Sequence, residues 1–263
     1  MKPFAFTYWE GERYPFTDLC LGSIRRVFGD SHVHLTPQTV GDWIEIPAAV
    51  AAVDHVSFRS DYVRTLLLER HGGWWFDADI LLCEDPSPLV SASKPTVWTL
   101  IYRVDGKWAP LINAGILWTP AHSPWIEAIA RDFAEVDVSS LQELTWDNED
   151  VGQDIIERHS LAMEGEVTIG GPYEFNSTHN VDADYAPFWD GRIDLSSARY
   201  GMHLGASLSR WAIRDGSEEA RRTLGTPSLE RLVEMFPRSV VSQYVARFGS
   251  DPVDLGHAQA GTR

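Results

Sequence analysis

Ser60-Asp61-Tyr62-Val63-Arg64-Thr65-Leu66-Leu67-Leu68-Glu69-Arg70-His71-Gly72-Gly73-Trp74-Trp75-Phe76-Asp77-Ala78-Asp79 places a helix signal, a chain break and a strand signal in direct succession. Val56, Val63, Leu66, Leu67 and Arg70 recur at helical spacing, which predicts an amphipathic helix within 54–71, capped at its start by Ser57 or Ser60. Gly72-Gly73 stops it, since glycine tolerates the backbone that ends a helix. Trp74-Trp75-Phe76 then opens a buried strand that runs into two carboxylates one residue apart. Strand faces alternate, so Asp77 and Asp79 are expected on one side and Ala78 on the other. The apolar run would deliver both to the carboxyl edge of a sheet, where open α/β sheets bind ligands.

Outward from this stretch the chain reads as α/β. Phe4 to Trp9 is a strand, Leu19 to Phe28 a helix ended by Gly29, and His32-Val33-His34-Leu35 a second strand. That β-α-β start favours a mostly parallel sheet flanked by helices. Val97 to Tyr102 and Ile112 to Trp118 are further strands, with Trp125 to Ala134 helical behind the second. Gln153 to His159, Ser228 to Phe236 and Val240 to Phe248 complete the expected helices, and the polar end after Asp251 is expected to fray. With no internal repeat, low-complexity block or clear linker, one domain over 1–263 is the expectation.

The chain has 263 residues, 44% of them hydrophobic, enough for a sizeable core. Its formal charge of -16 opposes nucleic acid and anionic membrane surfaces. An anionic ligand would therefore need a metal ion or a few local basic groups. No apolar run reaches the roughly 20 residues that span a bilayer, and the start lacks a signal-peptide apolar region. A cytoplasmic setting without a transmembrane segment is the expectation. Cys20 and Cys83 cannot form a disulfide framework, and both lie among apolar neighbours, so both read as buried thiols.

Two adjacent carboxylates repel unless a cation or a proton intervenes, and hard oxygen ligands suit Mg²⁺ or Mn²⁺ carrying phosphate oxygens. An isolated Asp-x-Asp is more often a solvated strand end. Here Asp61 and Arg64, three apart on the helix, share a face that Gly72-Gly73 folds back toward Asp77 and Asp79. Arg64 offers a forked donor and Asp61 an acceptor for hydroxyls. The plain alternative is a surface ion pair worth about 0.2–0.5 kcal/mol.

The order Ser-Asp-x-x-Arg, Leu-rich turn, Gly-Gly, aromatic residues and Asp-x-Asp resembles the family of DXD-motif sugar transferases. That family includes yeast initiating mannosyltransferases, bacterial capsular-polysaccharide transferases and the glucosyltransferase domains of large clostridial toxins. The strongest match spans Ser57 to Pro88, with weaker echoes from Phe6 to Ser207. The resemblance implies a GT-A fold and a nucleotide-diphosphate sugar donor of the UDP- or GDP-sugar class. It also implies Mn²⁺ or Mg²⁺, and transfer with retention to the hydroxyl of a small-molecule, glycan or protein acceptor. On this basis donor binding falls mainly within 1–120, acceptor and metal-completing residues within 121–215, and C-terminal helices within 216–250.

By the same resemblance Asp79 matches the metal-binding carboxylate, and Asp77 the one that reaches ribose, sugar or metal-bound water. Ser60, Asp61 and Arg64 match the helix residues at the donor sugar. Tyr8-Trp9-Glu10-Gly11 looks like the first-strand motif whose aromatic stacks on the base, with a core role for Trp9 as the alternative. Asn113-Ala114-Gly115 resembles a segment in which Asn113 binds donor or acceptor, and Gly115 permits close backbone approach. Tyr200 to Ser207 resembles a segment that completes the metal and diphosphate shell, through His203 and Ser207. This chain has Leu208 where many relatives have Trp, with Trp211 three residues later.

The same resemblance implies that the acidic stretch Trp146 to Asp154 faces the acceptor, with Asp150 or Asp154 orienting its hydroxyl or steadying charge on the sugar ring; helix capping is the equal alternative. His32, His34 and His179 read as structural, as do most of the 11 Trp residues. Two other classes fit parts of the sequence. A silent nucleotide-sugar or carbohydrate-binding protein would keep the fold without turnover. A DxD phosphatase wants Thr or Val two residues on, where this chain has Leu81, and no Gly-Gly break before the strand.

Overall fold

The computed structural model describes residues 3–104, 107–139, 141, 151–175, 178–180, 191–197, 199–205, 225 and 228–250. Strand β1 (Ala5–Tyr8) leads into α1 (Pro15–Phe28) and β2 (His32–Leu35). Helix α1 starts four residues before the expected Leu19, because Pro15 sits at the first helical position, where its missing N–H costs nothing. Gly29, at φ 59°, ends it.

After the short α2 (Ala48–Ala51), helix α3 (Val56–His71) runs to Gly72 and Gly73, at φ 61° and 104°. Neither Ser57 nor Ser60 caps α3; His55 does, its Nδ1 accepting from Phe58 N at 3.1 Å. Nor is α3 amphipathic in the expected sense. Phe58, Tyr62, Val63, Leu67 and Leu68 are buried, and so are Asp61, Arg64 and Thr65, because α3 packs against α4, α5, β1 and β3.

The remaining elements are β3 (Gly73–Phe76), β4 (Ile80–Leu82), β5 (Thr96–Val104), β6 (Lys107–Thr119), α4 (Pro124–Glu135), α5 (Val151–Ala162), β7 (Thr168–Gly170), β8 (Thr178–Asn180), β9 (Gly201–His203), α6 (Leu229–Met235) and α7 (Val240–Phe248). The main sheet has the order β2-β1-β3-β6-β5-β7, with β8 also on β5. It is mostly parallel: β1 pairs in parallel with β2 and β3, and β5 with β7 and β8, while β6 runs antiparallel to β3 and β5. The strands around Val97 and Ile112 are thus two arms of one antiparallel pair, longer at both ends than their apolar cores suggested. A separate ribbon joins β4 to β9.

Alternation along β3 sorts its aromatic residues onto two faces. Trp75 joins Phe6, Val63, Leu67 and Ile129 under the α3–α4–α5 layer. Trp74 and Phe76 face α1 with Ile24, Phe28, Trp98 and Ile116. Trp74 stacks on Trp98 at 5.5 Å, so these indoles are core, as the composition implied. Helices α6 and α7 pack with α1, Leu81 and Met202 behind the ribbon. Arg26 secures this side by donating to the carbonyls of Leu82 and Cys83 and to Tyr244 Oη. Cys20 and Cys83 are buried free thiols. Among the described residues no helix is long and apolar enough to cross a membrane.

Between β1 and β2 the Thr7 hydroxyl meets His32 Nε2 and His34 Nδ1, each at 3.0 Å. These two histidines are structural, as expected. Burial holds both imidazoles neutral, lowering His32 to about 3, with His34 and Arg25 as lesser causes, and His34 to about 4, with Arg13 as the lesser cause. In the unfolded chain they protonate near 6.5. Stability is therefore complete above pH 6.5 and is lost as pH falls toward the folded values, for His32 on the order of 3 kcal/mol by pH 4. Urea midpoints between pH 7 and 4 are expected to fall accordingly. His32→Gln, which retains an amide for the Thr7 hydroxyl, should flatten that dependence; an unchanged slope would show that other groups carry it.

Candidate functional site

At the carboxyl edge of β1 and β3 lies a cavity of about 260 Å³ lined by residues from seven parts of the chain. Tyr8 ends β1, and Trp9 and Glu10 follow it. Ser57, Ser60, Asp61 and Arg64 come from α3, and Asp77, Ala78 and Asp79 from the end of β3. Leu100 belongs to β5, Asn113, Ala114 and Gly115 to β6, and Gln153 and His203 to α5 and β9. Every described residue that the sequence singled out for donor or metal binding lines this cavity. Asp150 and Ser207 lie outside the described residues, as does the side chain of His179. Asp154 is exposed and is not part of the lining.

The two carboxylates meet for a different reason than strand alternation. Strand β3 ends at Phe76, and Asp77 to Ile80 form a turn closed by the Ile80 N–H donating to Asp77 O at 3.0 Å. Ala78 consequently lines the same cavity instead of facing away. Asp77 is fixed through its backbone N–H, which donates to Gly115 O at 2.8 Å. Its Oδ1 accepts from Trp75 Nε1 at 2.7 Å and Arg64 Nη2 at 3.1 Å. A Cβ on Gly115 would lie 2.6 Å from Asp77 Oδ2 and 3.0 Å from Asn113 Oδ1. Gly115 therefore makes room for a side chain, and Asn113 Oδ1 accepts its N–H at 2.9 Å.

Asp79 sits in the turn against β9, whose next residue, Leu204, donates its N–H to Asp79 O at 3.0 Å. The antiparallel register Ile80↔His203 brings the imidazole to the carboxylate, with Nε2 3.2 Å from Oδ1. For His203 burial is the largest single influence and disfavours the imidazolium. The Asp79 carboxylate, with Asp77 behind it, outweighs burial, and the net shift is upward. One ligand atom each from Asp77, Asp79 and His203 lies within 4.8 Å of the others. Two carboxylate oxygens and one imidazole nitrogen at that spacing fit a divalent cation.

Asp61 and Arg64 are 5% and 4% exposed, so their contact is not a surface ion pair. Arg64 Nη2 lies 2.9 Å from Asp61 Oδ1 and 3.1 Å from Asp77 Oδ1, and the guanidinium stands 5.1 Å from the Trp75 ring. One buried cation thus bridges the helix carboxylate to the strand-end carboxylate. At the opposite wall Tyr8 Oη donates to Glu10 Oε1 at 2.5 Å, and Arg59 Nε donates to the same oxygen at 2.9 Å. Burial and the Glu10 bond push the Tyr8 phenol up; burial would raise Glu10 too, but Arg59 and Tyr8 hold it below the usual carboxylate range. Trp9 is half-buried, edge-on to Tyr14 at 6.3 Å, and still borders the cavity. It thus packs partly against the core while one part of it borders the cavity.

Gln153 was legible only as part of a helix. Its Nε2 donates to Ile112 O and its Oε1 accepts from Ala114 N at 3.3 Å, on either side of Asn113. Arg59 and Leu100 were likewise missed, because contacts across this many residues leave no local spacing to read.

Residues 15–100 match the model of a family described as capsular polysaccharide synthesis protein, a span that includes Asp61, Arg64, Asp77 and Asp79. No curated protein sequence matches the chain. Among solved structures, it is similar to a glycosyltransferase involved in glycosylation of the major capsid of PBCV-1. That likeness has 14% identity, covers 77% of this chain and 95% of the other, and has a TM-score of 0.45. It is also similar to the glycosyltransferase GlyE of Streptococcus pneumoniae TIGR4, at 12% identity, 91% and 64% coverage and a TM-score of 0.44. For the galactosyltransferase LgtC in complex with donor and acceptor sugar analogs, the figures are 13% identity, 65% and 74% coverage and a TM-score of 0.36.

Proposed function

We propose that the chain is a metal-dependent retaining glycosyltransferase of GT-A fold, moving a sugar from a UDP- or GDP-sugar to an acceptor hydroxyl. The observation that carries this reading is that Asp77, Asp79 and His203 form a cation-sized set beside the buried Asp61–Arg64 pair, in one cavity at the sheet's carboxyl edge. The family match over 15–100 supports it.

In this reading Asp79, Asp77 and His203 hold Mn²⁺ or Mg²⁺. Bound there, such an ion supplies charge neutralisation for the departing diphosphate. Trp9, beside Tyr8, stacks on the base, while Ser60 and Asp61 take the donor sugar's hydroxyls. Arg64 holds Asp61 and Asp77 in register and adds positive charge near the diphosphate. Asn113 contacts donor or acceptor from the β6 side. The bond from the anomeric carbon to the diphosphate oxygen breaks, and the acceptor oxygen bonds to the same face of the sugar. The acceptor's hydroxyl proton leaves on the departing diphosphate. Asp150 and Ser207 retain the acceptor-orienting and donor-binding roles that the resemblance implies. Most of the rate would come from positioning and preorganised charge.

The test is a thermal-shift panel of nucleotide sugars with and without Mn²⁺. One donor is expected to raise Tm in an Mn²⁺-dependent way, as ligand binding to the native state alone requires, and the same donor should be turned over. Binding without turnover on any acceptor or water would favour a silent binding protein, and no shift with any nucleotide sugar would remove the reading.

A further inference from the structure

We propose that Gly152 is a positioning residue for Asp61: with no side chain, it lets the first turn of α5 close over the Asp61 carboxylate and hold it at the donor sugar. The role of Asp61 rests on the glycosyltransferase reading above; the packing does not.

A Cβ built on Gly152 would overlap Oδ2 and Cγ of Asp61 and lie 2.5 Å from its Cβ. Neither side can yield. Asp61 is 5% exposed, its Oδ1 is engaged by Arg64, and α3 is packed against α4, α5, β1 and β3. On the other side Gln153 bonds to the β6 backbone on both sides of Asn113, and Ile155 and Ile156 are buried in the core. The first turn of α5 is therefore fixed against β6 just where it meets the carboxylate.

Backbone freedom does not explain this glycine. Gly152 is not among the glycines with positive φ, and it lies inside a helix, where alanine is ordinarily the better residue. The missing Cβ is what the position uses. A helix's first turn also presents N–H groups without intrahelical partners, an environment that favours a carboxylate. Asp61 is thus held by Arg64 at one oxygen and seated against Gly152 at the other. Gly152 should accordingly govern recognition of the sugar and not of the nucleotide.

Four proteins test this: wild type, Gly152→Ala, Asp61→Gly and the double variant, glycine being needed at 61 because alanine would keep the Cβ that lies 2.5 Å from the new one. Each is titrated with Mn²⁺ present against the nucleotide sugar found by the panel and against its nucleoside diphosphate. Gly152→Ala is expected to weaken nucleotide-sugar binding by about tenfold or more, the scale of losing a hydrogen bond to a charged group. Nucleoside diphosphate affinity should stay within about twofold. With that side chain already removed, adding Gly152→Ala to Asp61→Gly should change nucleotide-sugar affinity by less than about twofold, the non-additivity expected of residues in contact. No loss, equal losses for both ligands, or additive losses would overturn the proposal. Should Gly152→Ala fail to fold, the double variant should fold, because the whole Asp61 side chain, Cβ included, has been cleared; a double variant that also fails to fold overturns it. Should wild type bind no nucleotide sugar, the glycosyltransferase reading fails separately, and the Tm values of the four proteins still decide the seat: non-additive losses support it and additive losses overturn it.

Discussion

Asp79→Ala is expected to reduce Mn²⁺-dependent sugar transfer by at least about 10³-fold, the scale of losing a main charge-stabilising group at a reacting centre. Asp79 is 6% exposed, held in its turn by the Leu204 N–H, and its carboxylate stands 3.2 Å from His203 Nε2. Removing it takes away one of two carboxylates in the cation set and the main charge that offsets burial of His203. Two effects should follow together. Mn²⁺ affinity measured by calorimetry should fall below detection at millimolar metal. Thermal stability should change far less than activity, since Ile80, Leu81 and Leu82 beyond the turn are fully buried and hold the ribbon in place. Full transfer activity in the variant, with the fold intact, would mean that Asp79 does not hold the metal.

The second large effect is expected at Arg64. Its guanidinium is 4% exposed and neutralises Asp61 and Asp77 at once. Arg64→Ala removes one charge and leaves two carboxylates facing each other, a change of the kind that costs about 3–5 kcal/mol when a buried ion pair is broken. Asp77 keeps some solvent contact, so the lower half of that range is expected from chemical denaturation. Arg64→Lys should not restore function. A lysine can supply a charge near Asp61, but not the planar group over Trp75 together with the two-carboxylate bridge. A lysine variant with wild-type donor affinity would show that charge alone suffices at this position.

The legible part of the site was the part written in local spacing. Asp61 and Arg64 share a helical face, Gly72 and Gly73 reverse the chain, and Asp77 and Asp79 follow an apolar strand. All of this falls within one stretch, so residue types and periods are enough to predict it. The reason offered for the carboxylate pair was wrong even though the pairing held. A turn brings Asp77 and Asp79 together, and a strand's alternation would have carried Ala78 out of the cavity that it lines. The helix cap failed in a similar way. Ser57 and Ser60 are good capping residues, yet the side chain that reaches the Phe58 N–H is His55.

What the amino-acid order determined by itself was the α/β class, most helix and strand cores, and a part of the cavity wall that includes Asp61, Arg64, Asp77 and Asp79. These depend on period, on glycine's tolerance of positive φ, and on the burial of apolar runs. Only the tertiary structure decided that Asp61 and Arg64 are buried and not a surface pair, that β5 and β6 form an antiparallel pair within the sheet, and that His203 reaches Asp79. It alone decided that Gly152 and Gln153, and not Asp154, bring α5 to the site. The physical reason is common to all of them. Burial, long-range register and the clearance around a missing Cβ are properties of what packs against a residue, and that neighbour is set by the whole fold.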